Sequence, residues 1–353
     1  MKLYSNITII FLIWLTSLII ISYFGFLYFP HAPKSNPDFL ISFSNWDGGH
    51  FIGIAQKGYS LNSQYAFFPL YPILINLLNK LINNFVVSGV LINLISSFFG
   101  LHLLYILVSK ELDKKIAEKV VVALIVFPTS FYFITVYSEG LFFLLTIATF
   151  YFLRTNKLFL ATAVALLASV TRLAGLVVVF VLIFHIYSSG GFNRKNWFVL
   201  LSFLGFLAYC IFLYNQTADP FYFITAEKNW HRSLNFPWVG FWETLKSLTK
   251  PAFIITYFNL VLDFLFAIFG VGLVIRSFRF LPSVYSFYSL VSIIVPLVTS
   301  TLLSMPRFLL VIFPIFILIG LIKDRFMYLG YHVVSLMLLS LFVILFVNGY
   351  WVA

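Results

Sequence analysis

The chain alternates between long runs of apolar residues and short polar segments. A helix that crosses a bilayer needs roughly 20 mostly apolar residues, and about eleven runs reach or approach that length. They cover residues 6–29, 85–109, 119–136, 139–153, 158–171, 174–188, 197–214, 252–275, 284–303, 307–322 and 328–348. The pattern therefore predicts an all-α, polytopic membrane protein with about eleven transmembrane helices.

One further apolar segment, residues 67–82, is short and carries Asn76, Asn79 and Lys80. If it crossed the membrane, the most charged short loop, Lys110–Lys119, would lie outside. If it lies in the interface as an amphipathic helix, every compact basic loop is cytoplasmic, as the positive-inside rule expects. The basic residues of these loops are Lys110, Lys114, Lys115, Lys119, Arg154, Lys157, Arg194, Lys195, Arg276, Arg279, Lys323 and Arg325. We therefore expect an interfacial helix, a cytoplasmic N-terminus and an external C-terminus.

This topology predicts one membrane domain over residues 1–353. Two longer external segments, residues 30–84 and 215–251, would form the active-site face. No internal repeat of fixed period is visible. Met1-Lys2 and the apolar run behind them resemble an export signal, but no small-residue cleavage site follows, so we expect a retained first span.

Composition agrees with a membrane protein. Of the 353 residues, 62% are hydrophobic and 9% are charged, whereas a soluble domain carries about 25% charged residues. The formal net charge of +11 would suggest nucleic acid in a soluble chain, but here the basic residues serve orientation, so no nucleic-acid partner is expected. Cys210 is the only cysteine and cannot form an internal disulfide bond.

Three of the 11 acidic residues, Asp47, Glu139 and Asp263, are surrounded by apolar residues. Ionisable groups at membrane depth are costly and indicate function. Asp47 stands in Ser44-Asn45-Trp46-Asp47-Gly48-Gly49-His50, where a carboxylate near an imidazole and an indole suits a general base acting on a hydroxyl. The alternative is a capping box, with Ser44 capping a helix and Asp47 at its third position.

Aromatic residues follow in Phe67-Phe68-Pro69-Leu70-Tyr71-Pro72. They are typical of an aromatic belt at the membrane interface. A functional interpretation adds a wall for an isoprenoid or a sugar, and both can hold together. Trp46, Phe67, Phe68 and Tyr71 are therefore candidate substrate or lipid contacts.

Two isolated arginines, Arg172 and Arg307, stand where apolar runs meet at the predicted external side. Each alone could extend its side chain to the headgroups. Together with Lys57 and His50 they favour an anion site, because arginine holds phosphate oxygens in a bidentate fork. Glu139 either orients one of the arginines at this substrate site or caps the helix that follows it.

Several signatures are absent from the sequence. It has no P-loop, no Gly-x-Gly-x-x-Gly, no His-Glu-x-x-His and no Cys or His metal cluster. It also lacks the Asp-x-Asp pair with which soluble nucleotide-sugar enzymes hold a metal. No metal site or other cofactor is predicted, metal dependence stays open, and an energy-rich substrate is expected to arrive in the membrane.

The chain resembles the PIG-V-type mannosyltransferases of the GT-C glycosyltransferase superfamily. The matching stretches are Trp46-Asp47-Gly48 to Gly58-Tyr59, Phe67 to Pro72, Val136 to Glu139, Thr171-Arg172-x-x-Gly175 and Pro306-Arg307-Phe308 to Phe313-Pro314. The resemblance implies a polyprenyl- or dolichyl-phosphate-mannose donor, inverting transfer outside the cytoplasm, interfacial helices in the first external loop and Asp47 as the base. His50 stands where an aromatic residue is expected, and Leu173 where proline is frequent.

Two other function classes stay open at this stage. A flippase or secondary transporter for lipid-linked sugars would also be polytopic, but it predicts inverted repeats and polar groups at the midplane. An oligosaccharide polymerase or ligase would use a diphosphate-linked donor. The acceptor, whether a glycolipid such as a GPI-anchor precursor, a glycan or a protein, leaves no mark in the sequence.

Overall fold

The computed structural model describes residues 2–33, 35–250 and 253–352, with side chains from Asn6 onward. These residues form helices, and their one β-type pairing is an isolated antiparallel bridge between Leu234 and Thr299. The predicted all-α class is confirmed.

The first part of the chain folds into nine α-helices that are interrupted by two short 3-10 helices. The α-helices are α1 (Lys2–Tyr28), α2 (Phe39–Ser42), α3 (Asp47–Lys57), α4 (Leu70–Ile82), α5 (Phe85–Glu111), α6 (Lys114–Ile125), α7 (Glu139–Arg154), α8 (Leu158–Ser169) and α9 (Gly175–Ser188). The 3-10 helices are Asn62–Ala66 and Ser130–Ile134.

The second part contains eight α-helices. They are α10 (Leu204–Thr217), α11 (Tyr222–Ala226), α12 (Val239–Leu248), α13 (Ile254–Phe280), α14 (Ser283–Leu297), α15 (Met305–Leu310), α16 (Pro314–Gly320) and α17 (Arg325–Val347). The 3-10 helices here are Trp197–Phe203 and Glu227–Trp230.

Several of these helices are long and apolar enough to cross a bilayer, so the chain is a multi-pass membrane protein. In the described residues five reach that length: α1, α5, α13, α17 and the stretch Trp197–Thr217 that includes α10. Helices α4, α8, α9 and α14 are apolar but shorter. The number of eleven spans stays a prediction.

Three of the predicted runs are broken near prolines. The run 119–136 contains α6, which ends at Ile125 before Pro128, and then a 3-10 helix. The run 307–322 divides at Pro314 into α15 and α16, and α14 ends one residue after Pro296. Proline cannot donate the helical hydrogen bond and clashes with the preceding turn. Hydropathy does not register these breaks.

Charged side chains lie at both ends of helix α7. At one end Arg154 Nε and Glu111 Oε1 are 2.5 Å apart, and the Tyr285 hydroxyl donates to the same oxygen at 2.7 Å. These contacts join the ends of α5 and α7 to the beginning of α14. Glu139 begins α7, 15 residues from Arg154, which is about 22 Å away at 1.5 Å per residue.

Of the segment 67–82, whose interfacial position stays a prediction, residues 70–82 form helix α4. Its 13 residues span about 20 Å, which is shorter than a hydrocarbon core of about 30 Å. One face is buried at Tyr71 and Ile75, while Leu81 on another face is exposed. Asn76 donates to the Ala55 carbonyl at 2.7 Å and so fixes α4 against α3.

Candidate active site

Four charged side chains form a continuous chain at the α7 N-terminus. Arg307 Nη1 is 2.5 Å from Asp47 Oδ2, and Arg307 Nε is 2.5 Å from Glu139 Oε1. Arg172 Nη1 is 2.5 Å from the same Glu139 oxygen. We call Asp47, Glu139, Arg172 and Arg307 the charged cluster.

The charged cluster is largely shielded from solvent and electrically balanced. The Glu139 side chain is 0% exposed, and those of Asp47, Arg307 and Arg172 are 10, 11 and 15% exposed. Buried charges are tolerated only when they are paired, and two acids here meet two arginines. The Glu139 carboxylate is thus the centre on which both guanidinium groups converge.

Asp47 is the first residue of α3, and the residue before it is strained. Trp46 has a positive φ of 61°, a region that favours glycine. Its indole donates to the Tyr350 carbonyl at 3.2 Å and packs edge-on against Trp351 at 5.0 Å. Asn45 donates to the Phe346 carbonyl at 2.8 Å. Contacts with the end of α17 therefore hold Asp47 in place.

The capping-box alternative is not what forms at this helix. The Ser44 hydroxyl donates backward to the Ile41 carbonyl at 2.7 Å, and Asp47 is at the first rather than the third position. Gly48 also has a role that the sequence did not suggest. A Cβ on Gly48 would lie 3.2 Å from the Val136 carbonyl, so this glycine lets α3 approach the segment before α7.

Arg307 is positioned by the beginning of α15. Ser304 has a positive φ of 67°, and Asp263 Oδ1 accepts the following Met305 N–H at 3.0 Å. The guanidinium lies 5.3 and 4.8 Å from the ring centres of Tyr132 and Tyr137, an arrangement that stabilises a cation. Asp263, the third isolated acid of the sequence, therefore supports the backbone that carries Arg307.

Glu139 is positioned by a buried amide on α5. The Asn93 Oδ1 accepts the Gly140 N–H at 2.5 Å, while its Nδ2 donates to the carbonyls of Tyr132 and Thr135. A Cβ on Gly140 would lie 2.3 Å from Asn93 Oδ1. Glycine at 140 is required for this approach, so Glu139 begins α7 at a fixed point.

Arg172 lies in the tight turn between α8 and α9. A Cβ on Gly175 would lie 1.9 Å from the Ala168 carbonyl, so only glycine allows α9 to begin this close to the end of α8. The Thr171 hydroxyl donates to the Leu167 carbonyl at 2.7 Å. The spacing Thr171-Arg172-x-x-Gly175 thus has a local physical cause.

A cavity of about 370 Å³ opens beside the charged cluster. Asp47, Arg172 and Arg307 line it, together with Phe67 and Phe68. The structure therefore brings together the predicted base, the two predicted phosphate-binding arginines and the predicted aromatic wall. Much of the remaining lining is apolar and comes from α9 and α14, among others Leu176, Val177, Phe180, Val291 and Val295.

His50 lies near this cavity, and its ring packs against other aromatic side chains. Its ring stacks on Phe67 at 5.0 Å and meets Trp230 edge-on at 5.6 Å. Burial lowers the pKa of the imidazole below its ordinary value, and the nearby Asp47 carboxylate only partly offsets this effect. At neutral pH His50 is thus an uncharged aromatic neighbour, which accounts for its presence where the family resemblance implied an aromatic residue.

Three other predicted residues lie away from the cavity wall. Lys57 is exposed at the end of α3, ten residues or about 15 Å from Asp47. Tyr71 is fully buried, and its hydroxyl donates to the Gly89 carbonyl at 2.9 Å. Trp46 contacts residues 350–351 instead. These positions assign Tyr71 and Trp46 to the support of the site.

The cavity also contains residues that sequence reasoning did not select. Arg232 donates to the Leu303 carbonyl at 2.8 Å, and its Nη1 is 3.4 Å from Glu227 Oε2. Trp230 and Trp351 complete the aromatic lining. Residues Glu227–Arg232 combine several charged side chains with a tryptophan, and this is the signal in the sequence that could have identified them. The same composition is equally typical of a solvated loop.

The described residues contain no group of three or more His, Cys, Asp or Glu side chains that could hold a metal ion.

The family comparison agrees with this geometry. The family described as mannosyltransferase (PIG-V) matches residues 33–232, which is more than half of the chain and includes Asp47, Glu139 and Arg172. The chain belongs to the PIG-V mannosyltransferase family. It is therefore a membrane glycosyltransferase of the mannosyltransferase class. A comparison with curated proteins gives no match.

Proposed function

We propose that this PIG-V family member transfers mannose from a polyprenyl- or dolichyl-phosphate-mannose to an acceptor hydroxyl on the extracytoplasmic side, with inversion. The observation that carries the proposal is the position of Asp47. Its carboxylate lines a cavity that also contains two arginines and an apolar wall. A base, an anion site and a lipid surface are the three elements that such a transfer requires.

The two oxygens of the Asp47 carboxylate have different surroundings. Arg307 Nη1 lies 2.5 Å from Oδ2. None of the described residues forms a hydrogen bond with the other oxygen, Oδ1. Oδ1 is therefore available to accept a proton.

The transfer is a single displacement at the anomeric carbon. The acceptor oxygen forms the new bond to this carbon while the bond to the phosphate oxygen breaks, and the phosphate leaves with the electron pair. The acceptor proton passes to Asp47 Oδ1. Attack opposite to the leaving group inverts the anomeric configuration.

Arg172 and Arg307 support departure of the phosphate. Each guanidinium carries five N–H donors, and the contacts with Glu139 and Asp47 use only part of them. The remaining donors can stabilise the charge that develops on the leaving oxygen. Because Glu139 holds both arginines, they are fixed before the donor binds.

The donor lipid has an apolar route to this cavity. The lining from α9 and α14 includes Val177, Phe180, Val291 and Val295. Phe180 lines the cavity and is 42% exposed. An isoprenoid chain that lay between α9 and α14 would place its phosphate beside Arg172.

The proposal is tested with Asp47→Asn in proteoliposomes supplied with polyprenyl-phosphate-mannose. Loss of a general base costs roughly 10²- to 10⁴-fold in rate, and we expect that loss in the rate per folded protein. The substitution also removes the charge that pairs with Arg307, so thermal unfolding of the variant is measured alongside to give the folded fraction. Labelled product is measured by mass spectrometry over a panel of glycolipid, glycan and peptide acceptors, and a polyprenyl-diphosphate donor is assayed in parallel.

Asp38→Asn is the matched control, because Asp38 is an acid of the same external segment that caps α2 and asparagine caps equally well. The control should transfer at the wild-type rate. Full activity of Asp47→Asn would refute the base assignment, and transfer from the diphosphate donor alone would refute the donor class.

A further inference from the structure

A second, larger cavity lies on the outer surface of α13 and α17. Its volume is about 1130 Å³, and the segment between α16 and α17 contributes to its lining. Leu265, Phe269 and Leu273 line it from α13, and Val334 and Leu338 from α17. We call this cavity the α13–α17 groove.

The groove is separate from the active site. Asp263, which supports the backbone of Arg307, and Arg276, which lines the end of the groove, lie on the same helix. Thirteen residues separate them, or about 20 Å along the helix axis. The end of the groove near Arg276 is therefore at the opposite end of the bundle from the charged cluster.

Two cations mark this end of the groove. Arg276 and Lys323 line it, and both are exposed. Neither has an ion pair within the described residues, although Arg276 lies 4.8 Å from the ring centre of Phe280. One acid, Asp324, also lines this end, and its Oδ1 caps α17 by accepting the Met327 N–H at 2.7 Å. With two cations and one acid, this end of the groove has a net positive charge.

The dimensions of the groove match one leaflet of a bilayer. Its lining along α17 extends from Met327 to Leu338, which is about 17 Å. Half of a hydrocarbon core of about 30 Å is similar. Gly330 lies in this lining, and a Cβ there would meet nothing within 4 Å. The groove therefore offers open apolar space next to its positively charged end.

We propose that the α13–α17 groove binds one anionic phospholipid. Its phosphate lies between Arg276 and Lys323, and an acyl chain lies along α17 over Gly330. Basic pockets between membrane helices bind anionic headgroups, and a chain in the groove buries apolar surface of both helices. This site differs from the mannose donor site in position and does not depend on the transfer reaction.

The charge requirement is tested by intact-complex mass spectrometry of the purified full chain. Delipidated protein receives equal amounts of phosphatidylglycerol and phosphatidylcholine with identical acyl chains. Wild type should retain phosphatidylglycerol preferentially, and Arg276→Gln with Lys323→Gln should lower that preference roughly 10- to 30-fold. Arg194→Gln with Lys195→Gln, an exposed basic pair in another loop, should leave it unchanged.

The steric requirement is tested with Gly330→Leu, which places a side chain in the groove. Gly272→Leu is the matched control, because Gly272 is also a helical glycine with open space around it and does not line the groove. Gly330→Leu should lose the retained phospholipid while Gly272→Leu keeps it. Equal retention by these two variants, equal binding of both lipids by wild type, or loss of preference in the Arg194/Lys195 variant would each overturn the proposal.

Discussion

Glu139 contacts two arginines through one oxygen atom, and this makes it the residue of the charged cluster that is most sensitive to substitution. Arg172 and Arg307 both contact Oε1 at 2.5 Å, and the side chain is fully buried. If the carboxylate were replaced by an amide, both guanidinium groups would lose their shared counter-charge. Removal of one partner from a buried ion pair typically costs about 3–5 kcal/mol.

Glu139→Gln should therefore lower the free energy of unfolding by about 3–5 kcal/mol and strongly reduce transfer. Thermal unfolding in detergent and the mannose assay measure the two effects. Glu243→Gln is the control, because Glu243 forms only an exposed pair with Lys246, and such pairs contribute about 0.3–0.5 kcal/mol. A stability of Glu139→Gln equal to that control would show that the arginines do not need the charge.

His50 should make stability depend on pH. Burial lowers the pKa of this imidazole in the folded chain below 6.5, so below pH 6.5 the unfolded chain binds the proton more readily. Stability is then fully present above pH 6.5 and falls as the pH decreases toward the folded pKa.

His50→Phe preserves the stacking on Phe67 and removes the titrating group. Its melting temperature should fall less than that of wild type between pH 7 and pH 5, as measured by differential scanning calorimetry. Parallel curves for the two proteins would contradict the assignment of this pH dependence to His50.

Sequence reasoning identified the members of the charged cluster and, as one alternative, an arginine oriented by Glu139, but not the contact between Asp47 and Arg307. Asp47, Glu139, Arg172 and Arg307 stand out because each is an isolated charge in an apolar context. The Asp47–Arg307 contact joins residues 260 positions apart, and no local spacing encodes such a pair. Lys57 was selected for its charge alone, and the regular helix α3 carries it away from the cavity.

At the level of secondary-structure elements, the interruptions between helices are as important for the site as the helices themselves. The site forms where α7, α9 and α15 begin, and each of these helices follows a short segment that is not α-helical. The pattern of apolar residues predicted eleven runs, a number that stays a prediction, and it treats α15 and α16 as one run because hydropathy is insensitive to Pro314. Gly175 is different, because it belongs to a stretch that carries the family resemblance, and the structure shows that it permits the turn between α8 and α9.

Gly175→Ala should be strongly destabilising, because the added Cβ would lie 1.9 Å from the Ala168 carbonyl. Overpacking of this kind costs about 1–3 kcal/mol or more, and displacement of the α8–α9 turn should also reduce transfer. Gly272→Ala, with nothing within 4 Å of its Cβ, should be neutral or slightly stabilising. The melting temperatures of the two variants test this prediction. Equal values would mean that the α8–α9 turn rearranges without loss of stability.

At the level of the molecule, two charge clusters lie at opposite ends of α7. The loop cations near Glu111 and Arg154 lie at one end, and the charged cluster lies at the other. The positive-inside rule assigns the first end to the cytoplasm. The side of the membrane on which each cluster lies stays a prediction, because it depends on whether the number of membrane spans between the loops is odd or even.

Cysteine accessibility tests this topology. In a Cys210→Ala background, Ser60→Cys and Lys246→Cys should react with a membrane-impermeant thiol reagent on intact cells. Lys114→Cys and Lys195→Cys should react only after permeabilisation. The four positions are all exposed, so reactivity reports the side of the membrane, and the reverse pattern would invert the topology.

The hydrogen bond between the Trp46 indole and the Tyr350 carbonyl joins positions 304 residues apart. Ribosomes add roughly 5–20 residues per second, so Trp46 and Asp47 are synthesised about 15 to 60 s before their anchor exists. During that interval α3 has neither the α17 contacts nor the ion pair with Arg307. The nascent chain therefore reaches the membrane with the segment around Asp47 unfinished, and the Asp47 carboxylate is set in place only when α17 has been inserted.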